Sequence, residues 1–431
     1  MKFSLSRLHL LLALFWAALA SAQTRYVHCG RLFTMTDERV LTQMTIVVEG
    51  DRIVRLEAGY SRPSAGAEIV DWKNYTVLPG LIDCHVHIES EQSRTTYSDR
   101  YTLNDTESAI RGVVYAERTL RAGFTTVRDL GGRGANIAIR NAVQQGWIPG
   151  PRILTAGKSI SITGGHGDYT TGARSDLFDP PPGVEDGIAN GPDACRAAVR
   201  HQVRRGADLI KVTATGGVLS LARDGRLPHY AEDELVAIVR TAQDLGVRVA
   251  AHAHGDEGAR RAIAAGVHSI EHGTFMSDQT IAQMKAAGTW YVPTLTAGWA
   301  VSDSARRAQG FFPEVVRRKA FDIGPTVMET LGRAYRAGVN IAFGTDAGVF
   351  PHGKNALEFH YMAQAGMKPW DILRAATVNA AQLLGLENEI GRIAPGFAAD
   401  LVAVPENPLD NIRAFERVAA VMRAGKVFTN E

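Results

Sequence analysis

The feature that most constrains the fold of this chain is a repeat in which a helical stretch ends near a glycine and a short apolar run follows. The glycines in this position are Gly123, Gly246, Gly266, Gly288 and Gly338. Because glycine readily adopts the left-handed conformation that closes a helix, the spacing predicts helices that alternate with strands. The middle of the chain is therefore predicted to have an α/β fold.

Helices are predicted at 107–122, 194–205, 232–245, 256–265, 278–287 and 327–337. Strands are predicted to start at or near Val77, Thr125, Arg152, Leu209, Val247, His268, Trp290 and Asn340. Eight strands predict a closed (β/α)8 TIM barrel, whose active residues lie at the C-terminal strand ends. Segment 157–192, rich in Gly, Asp and Pro, is predicted to be an active-site loop or lid. Two further loops, 216–231 and 293–320, are expected to contribute to pocket selectivity.

The two ends of the chain differ from the middle, because both contain short β-type runs without intervening helices. One set lies between residues 23 and 77, with a tight-turn signal at Gly50-Asp51, and the other between 386 and 431. We predict that these segments form parts 1 and 2 of one small β-sandwich domain. The barrel is predicted to occupy residues 78–385.

Residues 1–22 have the layout of a secretory signal peptide: Lys2 and Arg7, then an apolar core, then the small-residue site Ala20-Ser-Ala22. The apolar core is too short for a comfortable membrane span, although a retained anchor is the alternative. A cleaved signal peptide predicts a periplasmic or secreted protein that is not attached to a membrane.

Loss of residues 1–22 removes two basic residues from 47 and leaves 45 basic against 45 acidic residues. A neutral chain argues against nucleic acid or an anionic membrane as partner. The three cysteines, Cys29, Cys84 and Cys195, are odd in number and far apart, so a disulfide framework is not expected. They are predicted to be small buried hydrophobic residues.

Metal-competent side chains stand at several predicted strand ends. His85 and His87 are two residues apart on the first strand, so they project to the same face. His252 and His272 end the fifth and sixth strands, and Asp346 ends the eighth. Each histidine taken singly also suits a hydrogen-bonded core position, and Asp346 a salt bridge. Together they favour Zn²⁺, which prefers histidine nitrogen with carboxylate oxygen.

Lys211 lies midway along the apolar fourth strand, where a cation is costly to bury. Its chain could reach solvent or a carboxylate. Alternatively, the neutral amine could take up carbon dioxide and become a carbamate whose two oxygens bridge two metal ions.

These residues and their surroundings resemble the amidohydrolase superfamily over nearly the whole chain after residue 22. The motifs are 79–87 (PGLIDCHVH), 215–217 (TGG) after Lys211, 252–255 (HAHG), 269–274 (SIEHGT), 344–346 (GTD) and 391–401 (GRIAPGFAADL). The resemblance implies two Zn²⁺ ions bridged by N6-carboxylated Lys211. It places His85, His87 and Asp346 on one ion and His252 and His272 on the other.

Within the superfamily, the 163–167 loop (TGGHG) and the 252–255 signature are most similar to the branch of metal-dependent dipeptidases, Xaa-Arg/Lys carboxypeptidase-like enzymes and ochratoxin-hydrolysing amidases. This similarity implies cleavage of the amide bond of an N-acyl amino acid or dipeptide, with ochratoxin A as one candidate substrate. It also implies metal-activated hydroxide as the nucleophile and a homo-oligomeric assembly.

In that mechanism Asp346 is the predicted proton carrier. His254 is a second catalytic candidate, and His166 and Tyr230 are predicted to bind substrate, each against the alternative of a packing role. Weaker candidates are His229 and Arg223 for a substrate carboxylate and His352 at the cavity mouth. Arg128 and Asp129 are predicted to form a structural ion pair.

Two other functions are compatible with the same residues. A deaminase or cyclic-amide hydrolase such as an imidazolonepropionase is one, but mononuclear deaminases generally lack a bridging lysine. A catalytically dead periplasmic metal-binding protein is the other, but all six metal positions are filled.

Overall fold

The computed structural model describes residues 23–430 except 223 and 308–310. The predicted signal peptide, residues 1–22, and Arg223 therefore lie outside the described residues. In the described part of the chain, no helix combines the length and apolar character that a membrane crossing requires.

One seven-stranded sheet combines both ends of the chain. Its strands are β1 (Thr24–Phe33), β2 (Val40–Glu49), β3 (Arg52–Ala58), β4 (Glu68–Pro79), β12 (Leu401–Val404), β13 (Ala420–Arg423) and β14 (Lys426–Thr429), in the order β14-β13-β12-β4-β1-β2-β3. The twelve-residue β4 joins the two ends, because its first part pairs with β1 and residues 76–79 pair with β12. All seven strands thus belong to one hydrogen-bonded sheet, whereas the sandwich prediction implies two.

Seven parallel strands occupy the middle of the chain. One sheet contains β5 (Leu81–Val86), β6 (Phe124–Asp129) and β7 (Arg152–Thr155), and the other contains β8 (Ile210–Thr213), β9 (Val249–Ala253), β10 (Ser269–His272) and β11 (Trp290–Val292). The predicted eighth strand is present as isolated parallel bridges, Tyr291 to Ile341 and Val86 to Ala347. A third bridge, Ile160 to Val212, links the two sheets on the other side.

The helices are α1 (Thr96–Thr102), α2 (Asp105–Arg121), α3 (Ala135–Gln144), α4 (Pro192–Arg205), α5 (Glu232–Asp244), α6 (Asp256–Ala265), α7 (Asp278–Ala287), α8 (Leu295–Arg307), α9 (Glu314–Ala320), α10 (Ile323–Ala337), α11 (Leu357–Gln364), α12 (Pro369–Ala375) and α13 (Val378–Leu384). Short 3-10 helices cover Ser175–Leu177, Val184–Asp186 and Ile412–Arg417. The six predicted helices are confirmed as α2, α4, α5, α6, α7 and α10. Gly266 and Gly338 end α6 and α10 in the left-handed conformation, as predicted.

The prediction of a loop at 293–320 is wrong, because this segment contains α8 and α9. The start of α8 is stabilised from a distance: the buried Glu358 carboxylate accepts hydrogen bonds from the backbone N–H groups of Leu295 (2.8 Å) and Thr296 (2.7 Å). Carboxyl oxygens placed at a helix N-terminus satisfy the unpaired N–H groups there. Glu358 lies some sixty residues after the start of α8, so the local sequence does not show that the helix is stabilised there.

The three cysteines are buried and free, as predicted. Cys84 packs among apolar residues that include Ile82 and Val292. Its face of β5 is therefore apolar.

Candidate metal centre and active site

His85, His87 and Asp346 form the first cluster of the site, with one potential ligand atom of each within 4.8 Å of the others. Asp346 Oδ1 lies 3.5 Å from His85 Nε2 and 3.2 Å from His87 Nε2. His85 Nε2 and Asp346 Oδ1 are buried and make no hydrogen bond among the described residues. Buried polar atoms normally have a partner, so this arrangement suits a cation shared by the three side chains.

His252, His254 and His272 form the second cluster, again with ligand atoms within 4.8 Å of one another. The His252 and His272 ring centroids are 4.6 Å apart, and the His254 ring stacks on His272 at 4.9 Å. The sequence analysis gave His254 a catalytic role beside the ligands. The structure places it close enough to be a third ligand of this cluster.

Lys211 lines the same cavity as Asp346 and both histidine clusters, and its side chain is buried. Among the described residues, its ammonium group makes no hydrogen bond and no ion pair. Burial lowers the pKa of Lys211 to about 8, although the Glu271 and Asp346 carboxylates oppose this change. Near neutral pH, a larger fraction of Lys211 than of an exposed lysine is therefore in the neutral, nucleophilic amine form.

The cavity has a volume of about 270 Å³. It is lined by the histidines, Lys211 and Asp346, and by apolar residues that include Val218, Val301 and Ile323. A small polar centre beneath an apolar wall is the usual form of a small-molecule site.

Burial lowers the pKa of His85, His252 and His272 well below the usual value, and neighbouring cationic groups add to the effect. Burial also lowers the pKa of His254 to about 3. Burial also acts to lower the pKa of His87, but the effect of the Asp346 carboxylate is larger and the pKa of His87 is raised. Most of the histidines are therefore neutral at pH 7, which is the form that binds a metal ion.

Each histidine of the two clusters uses one ring nitrogen in a hydrogen bond and leaves the other for the site. The pairs are His87 Nδ1 with Gly131 O (2.6 Å), His252 Nε2 with Gly216 O (3.0 Å), His254 Nδ1 with Thr274 Oγ1 (2.8 Å), His272 Nδ1 with Thr294 Oγ1 (2.7 Å) and His85 Nδ1 with Glu271 Oε2 (2.9 Å). Such bonds fix the ring orientation and raise the basicity of a metal ligand.

Glu271 is the central residue of this supporting layer. Its Oε2 bonds to His85, while its Oε1 accepts hydrogen bonds from Arg128 (2.8 Å) and Ser269 Oγ (2.5 Å). The predicted ion pair between Arg128 and Asp129 is therefore wrong, since Arg128 pairs with Glu271. Neighbouring residues of a strand face opposite sides, and Asp129 instead accepts from the backbone N–H of Ile88 (2.8 Å).

The sequence analysis quoted Glu271 within a motif but gave it no role. Glu271 lies on a short buried strand, where a glutamate is as costly to bury as Lys211, and that cost was the available signal.

The strand ends turn sharply at the site. His272 and Asp346 have positive φ angles of 69° and 59°, and so has Thr294 at 54°. Such angles are uncommon for residues other than glycine and concentrate at functional sites. The backbone of Asp346 is also tied to the first strand, because its N–H donates to His85 O at 2.7 Å. The first and eighth segments thus present their side chains to one point.

The residues predicted to bind substrate differ in position. His166 lines the cavity, stacks on His252 with centroids 4.3 Å apart, and has a buried Nδ1 without a hydrogen-bond partner among the described residues. Tyr230 does not line this cavity and is 1% exposed within the hydrophobic core. The structure therefore does not place Tyr230 in the lining of the candidate site.

His229 and His352, the weaker candidates, also lie in different positions. His229 Nδ1 accepts a hydrogen bond from the His166 backbone N–H at 3.4 Å and so supports the Gly-rich loop. His352 lies behind the first cluster, where its Nε2 bonds to the carbonyl oxygens of His87 (3.2 Å) and Ser90 (3.0 Å). His352 does not line the cavity.

We expect Glu271→Gln to weaken zinc affinity by roughly 10- to 100-fold, the usual cost of losing a partner of a metal-ligating histidine. The amide preserves the shape but removes the charge that orients His85 and balances the buried Arg128. Competition with a chromophoric chelator measures the affinity. Glu329→Gln, an exposed change on α10, is the control. Equal affinities for Glu271→Gln and the unmodified protein would contradict this role.

The chain is similar to several known proteins. A solved Xaa-Pro dipeptidase with methionine bound in its active site is 42% identical, with a TM-score of 0.91, over 95% of this chain and 100% of that one. The curated ochratoxinase of Aspergillus niger is 34% identical over 82% of this chain and 75% of its own length. An imidazolonepropionase of Paenarthrobacter aurescens is 26% identical over 89% and 92%.

The model of the amidohydrolase family matches residues 76–428, which include both histidine clusters, Lys211 and Asp346. Ochratoxinase and Xaa-Pro dipeptidase, the more similar relatives, act on amide bonds, as the sequence analysis expected of this branch. Together with the family match, this similarity identifies a hydrolase of amide bonds. The chain belongs to the amidohydrolase family.

Proposed function

We propose that this protein is a zinc-dependent hydrolase that cleaves the amide bond of N-acyl amino acids or dipeptides, with ochratoxin A among its candidate substrates. The observation that carries the proposal is the convergence of Lys211, Asp346 and two histidine clusters on one cavity. Similarity to an Xaa-Pro dipeptidase and to ochratoxinase supports this choice of substrate.

Two Zn²⁺ ions are the proposed cofactor. His85, His87 and Asp346 would hold one ion and His252 and His272 the other, with carboxylated Lys211 between them. The unpartnered His85 Nε2 and Asp346 Oδ1 support the first position, and the neutral histidines support both. Bound zinc supplies Lewis-acid chemistry, since it makes water more acidic and polarises a carbonyl group.

Carboxylation of Lys211 requires only carbon dioxide. The neutral amine attacks the carbon atom, an N–C bond forms, and one amine proton leaves to solvent. The product is a carbamate anion, which replaces a buried cation by a group with two ligand oxygens.

The remaining roles fall to residues around the cavity. Asp346 is placed to accept a proton and to deliver it to the leaving amine. His166, with its free Nδ1, is proposed to hydrogen-bond the substrate. His254 is proposed to stabilise the reacting carbonyl or to complete the second cluster.

Several wider proposals accompany this function. The parallel strands and the 341–347 segment are proposed to close into a (β/α)8 barrel over about 78–385, with 23–77 and 386–431 as the sheet domain. We propose that residues 1–22 direct export to the periplasm or the medium, and that the enzyme is a homo-oligomer acting on small molecules. No nucleic-acid or membrane partner is proposed.

Imidazolonepropionase activity is the weaker alternative, because that relative shares less sequence than ochratoxinase. A catalytically dead metal-binding protein would be expected to lack one of the converging groups.

A hydrolysis screen tests the function. Zinc-loaded protein is incubated with N-acyl amino acids, dipeptides and ochratoxin A, and released amino acid is measured by mass spectrometry. We expect hydrolysis in at least one of these classes and none in chelator-treated protein. Full activity after exhaustive chelation would refute zinc dependence.

Bicarbonate is expected to accelerate recovery of activity when metal-free protein is reloaded with zinc. Because the pKa of Lys211 is lowered to about 8, its neutral fraction rises roughly 50-fold between pH 6 and pH 8, while His85, His252 and His272 stay neutral. Reloading at fixed dissolved CO₂ should therefore be faster at pH 8. NMR with ¹³C-bicarbonate should give a carbamate signal that Lys211→Ala lacks. A reloading rate that depends on neither pH nor bicarbonate would contradict carboxylation of Lys211.

A further inference from the structure

Lys319, on α9, makes an unusual set of contacts outside the site described above. Its Nζ donates hydrogen bonds to the carbonyl oxygens of Gly217, Ser220 and Ala222, each at 2.8 Å. A lysine ammonium group has three N–H donors, so all of them are used by one short segment. Among the described residues, no carboxylate forms an ion pair with it. The three carbonyl dipoles and the charge of the nearby Asp224 carboxylate therefore balance the ammonium group.

The segment that Lys319 holds, residues 217–222, forms part of the cavity wall. Val218 and Leu219 line the cavity directly. Gly217 passes so close to His166 that a Cβ atom there would lie 2.1 Å from the imidazole ring. The preceding carbonyl, Gly216 O, bonds to His252 Nε2 at 3.0 Å. A shift of this segment would therefore alter the substrate side of the cavity.

Val218, Leu219 and Leu221 of the 217–222 segment pack in the apolar cluster that contains Val301 and Phe312, but few other hydrogen bonds fix its backbone. Within the described part of the chain it makes no backbone–backbone hydrogen bond and has no helix or strand. The Tyr97 hydroxyl donates to Leu219 O at 2.9 Å, and Ser220 Oγ donates to Gly217 O at 3.1 Å. Hydrogen bonds from a charged donor stabilise more than neutral ones, so Lys319 is the strongest hydrogen-bond donor to the backbone of the segment.

We propose that Lys319 is a positioning residue for substrate binding, which fixes the apolar wall through the carbonyl groups of residues 217–222. Lys319 itself does not line the cavity and so acts through Val218 and Leu219. This inference rests on the proposed amide-hydrolase function. Loss of the anchor should weaken substrate binding more than it slows the chemical step, because Lys211 and Asp346 do not contact the ammonium group.

The test compares Lys319→Met with Arg318→Met, a change of the neighbouring exposed side chain whose ion pair is with Glu314 on the same helix. We expect Lys319→Met to raise KM roughly tenfold while kcat stays within about threefold and zinc content is unchanged. Hydrogen exchange measured by mass spectrometry should become faster in peptides covering 217–222. Arg318→Met should match the unmodified protein in every measurement.

Lys319→Arg should restore KM only in part, because the planar guanidinium fork cannot converge on three carbonyl oxygens as an ammonium does. If Lys319→Met fails to fold, Lys319→Arg and Lys319→Gln supply the comparison. Unchanged KM and exchange would overturn the proposal, and so would a loss of kcat or zinc at constant KM. If the unmodified protein hydrolyses no amide, the proposed function fails, and the exchange data alone then decide whether Lys319 anchors the segment.

Discussion

Lys211→Ala is expected to lower kcat/KM by at least about 10³-fold and to leave the protein unable to retain two zinc ions. The side chain is 3% exposed, and burial lowers its pKa to about 8. If its carbamate bridges the metals, alanine removes two ligand oxygens at once. Steady-state kinetics and elemental analysis after gel filtration measure both effects.

Lys158→Ala is the matched control, because Lys158 lines a neighbouring cavity and pairs with Asp186 at 3.0 Å. It should retain zinc and activity. A small carboxylate such as propionate should partly restore Lys211→Ala, since it can enter the vacated space and offer two oxygens. Full activity and full zinc content in Lys211→Ala would refute the bridging role.

Asp346→Asn is expected to lower kcat on the order of 10³-fold, within the usual range for loss of a positioned general base. Asparagine keeps one oxygen near His85 and His87 but cannot accept a proton. We expect KM to change little, because the proton moves only after substrate is bound. Measurement of product formation in a single turnover separates the chemical step from substrate binding and product release.

Asp303→Asn, an exposed change on α8, is the control for Asp346→Asn and should leave kcat unaltered. Zinc content distinguishes the two roles proposed for Asp346. If Asp346→Asn loses activity only in proportion to lost zinc, the carboxylate is a ligand and not a proton carrier. If kcat stays within a few-fold at full zinc content, both assignments fail.

Much of the fold could be predicted, because the sequence pattern of helices, glycines and apolar runs depends on neighbouring residues. The apolar runs and the glycines before them predicted seven of the strands and six of the helices, and Gly266 and Gly338 end their helices as expected. The eighth segment was found in position but not as a regular strand, since the backbone of Asp346 turns at φ 59°. Helix α8 was missed because Glu358, which stabilises its start, is distant in sequence.

The residues that form the candidate site could be predicted, but the contacts that hold them in place could not. His85, His87 and Asp346 come together as expected, and so do His252 and His272. The position of His254 in the second cluster was not predicted, nor were the contacts by which Glu271 orients His85 and holds Arg128. Tyr230 was expected at the cavity and lies in the core instead.

Strand alternation and the position of each apolar run follow from neighbouring residues, so local sequence is enough to predict which side chains reach the carboxyl ends of the strands. The ring nitrogen that each histidine presents, the pairing of Arg128 with Glu271 and the contacts of Lys319 with the 217–222 segment depend instead on how the chain packs. Those contacts join residues tens to hundreds of positions apart, so their geometry depends on packing that no local pattern encodes.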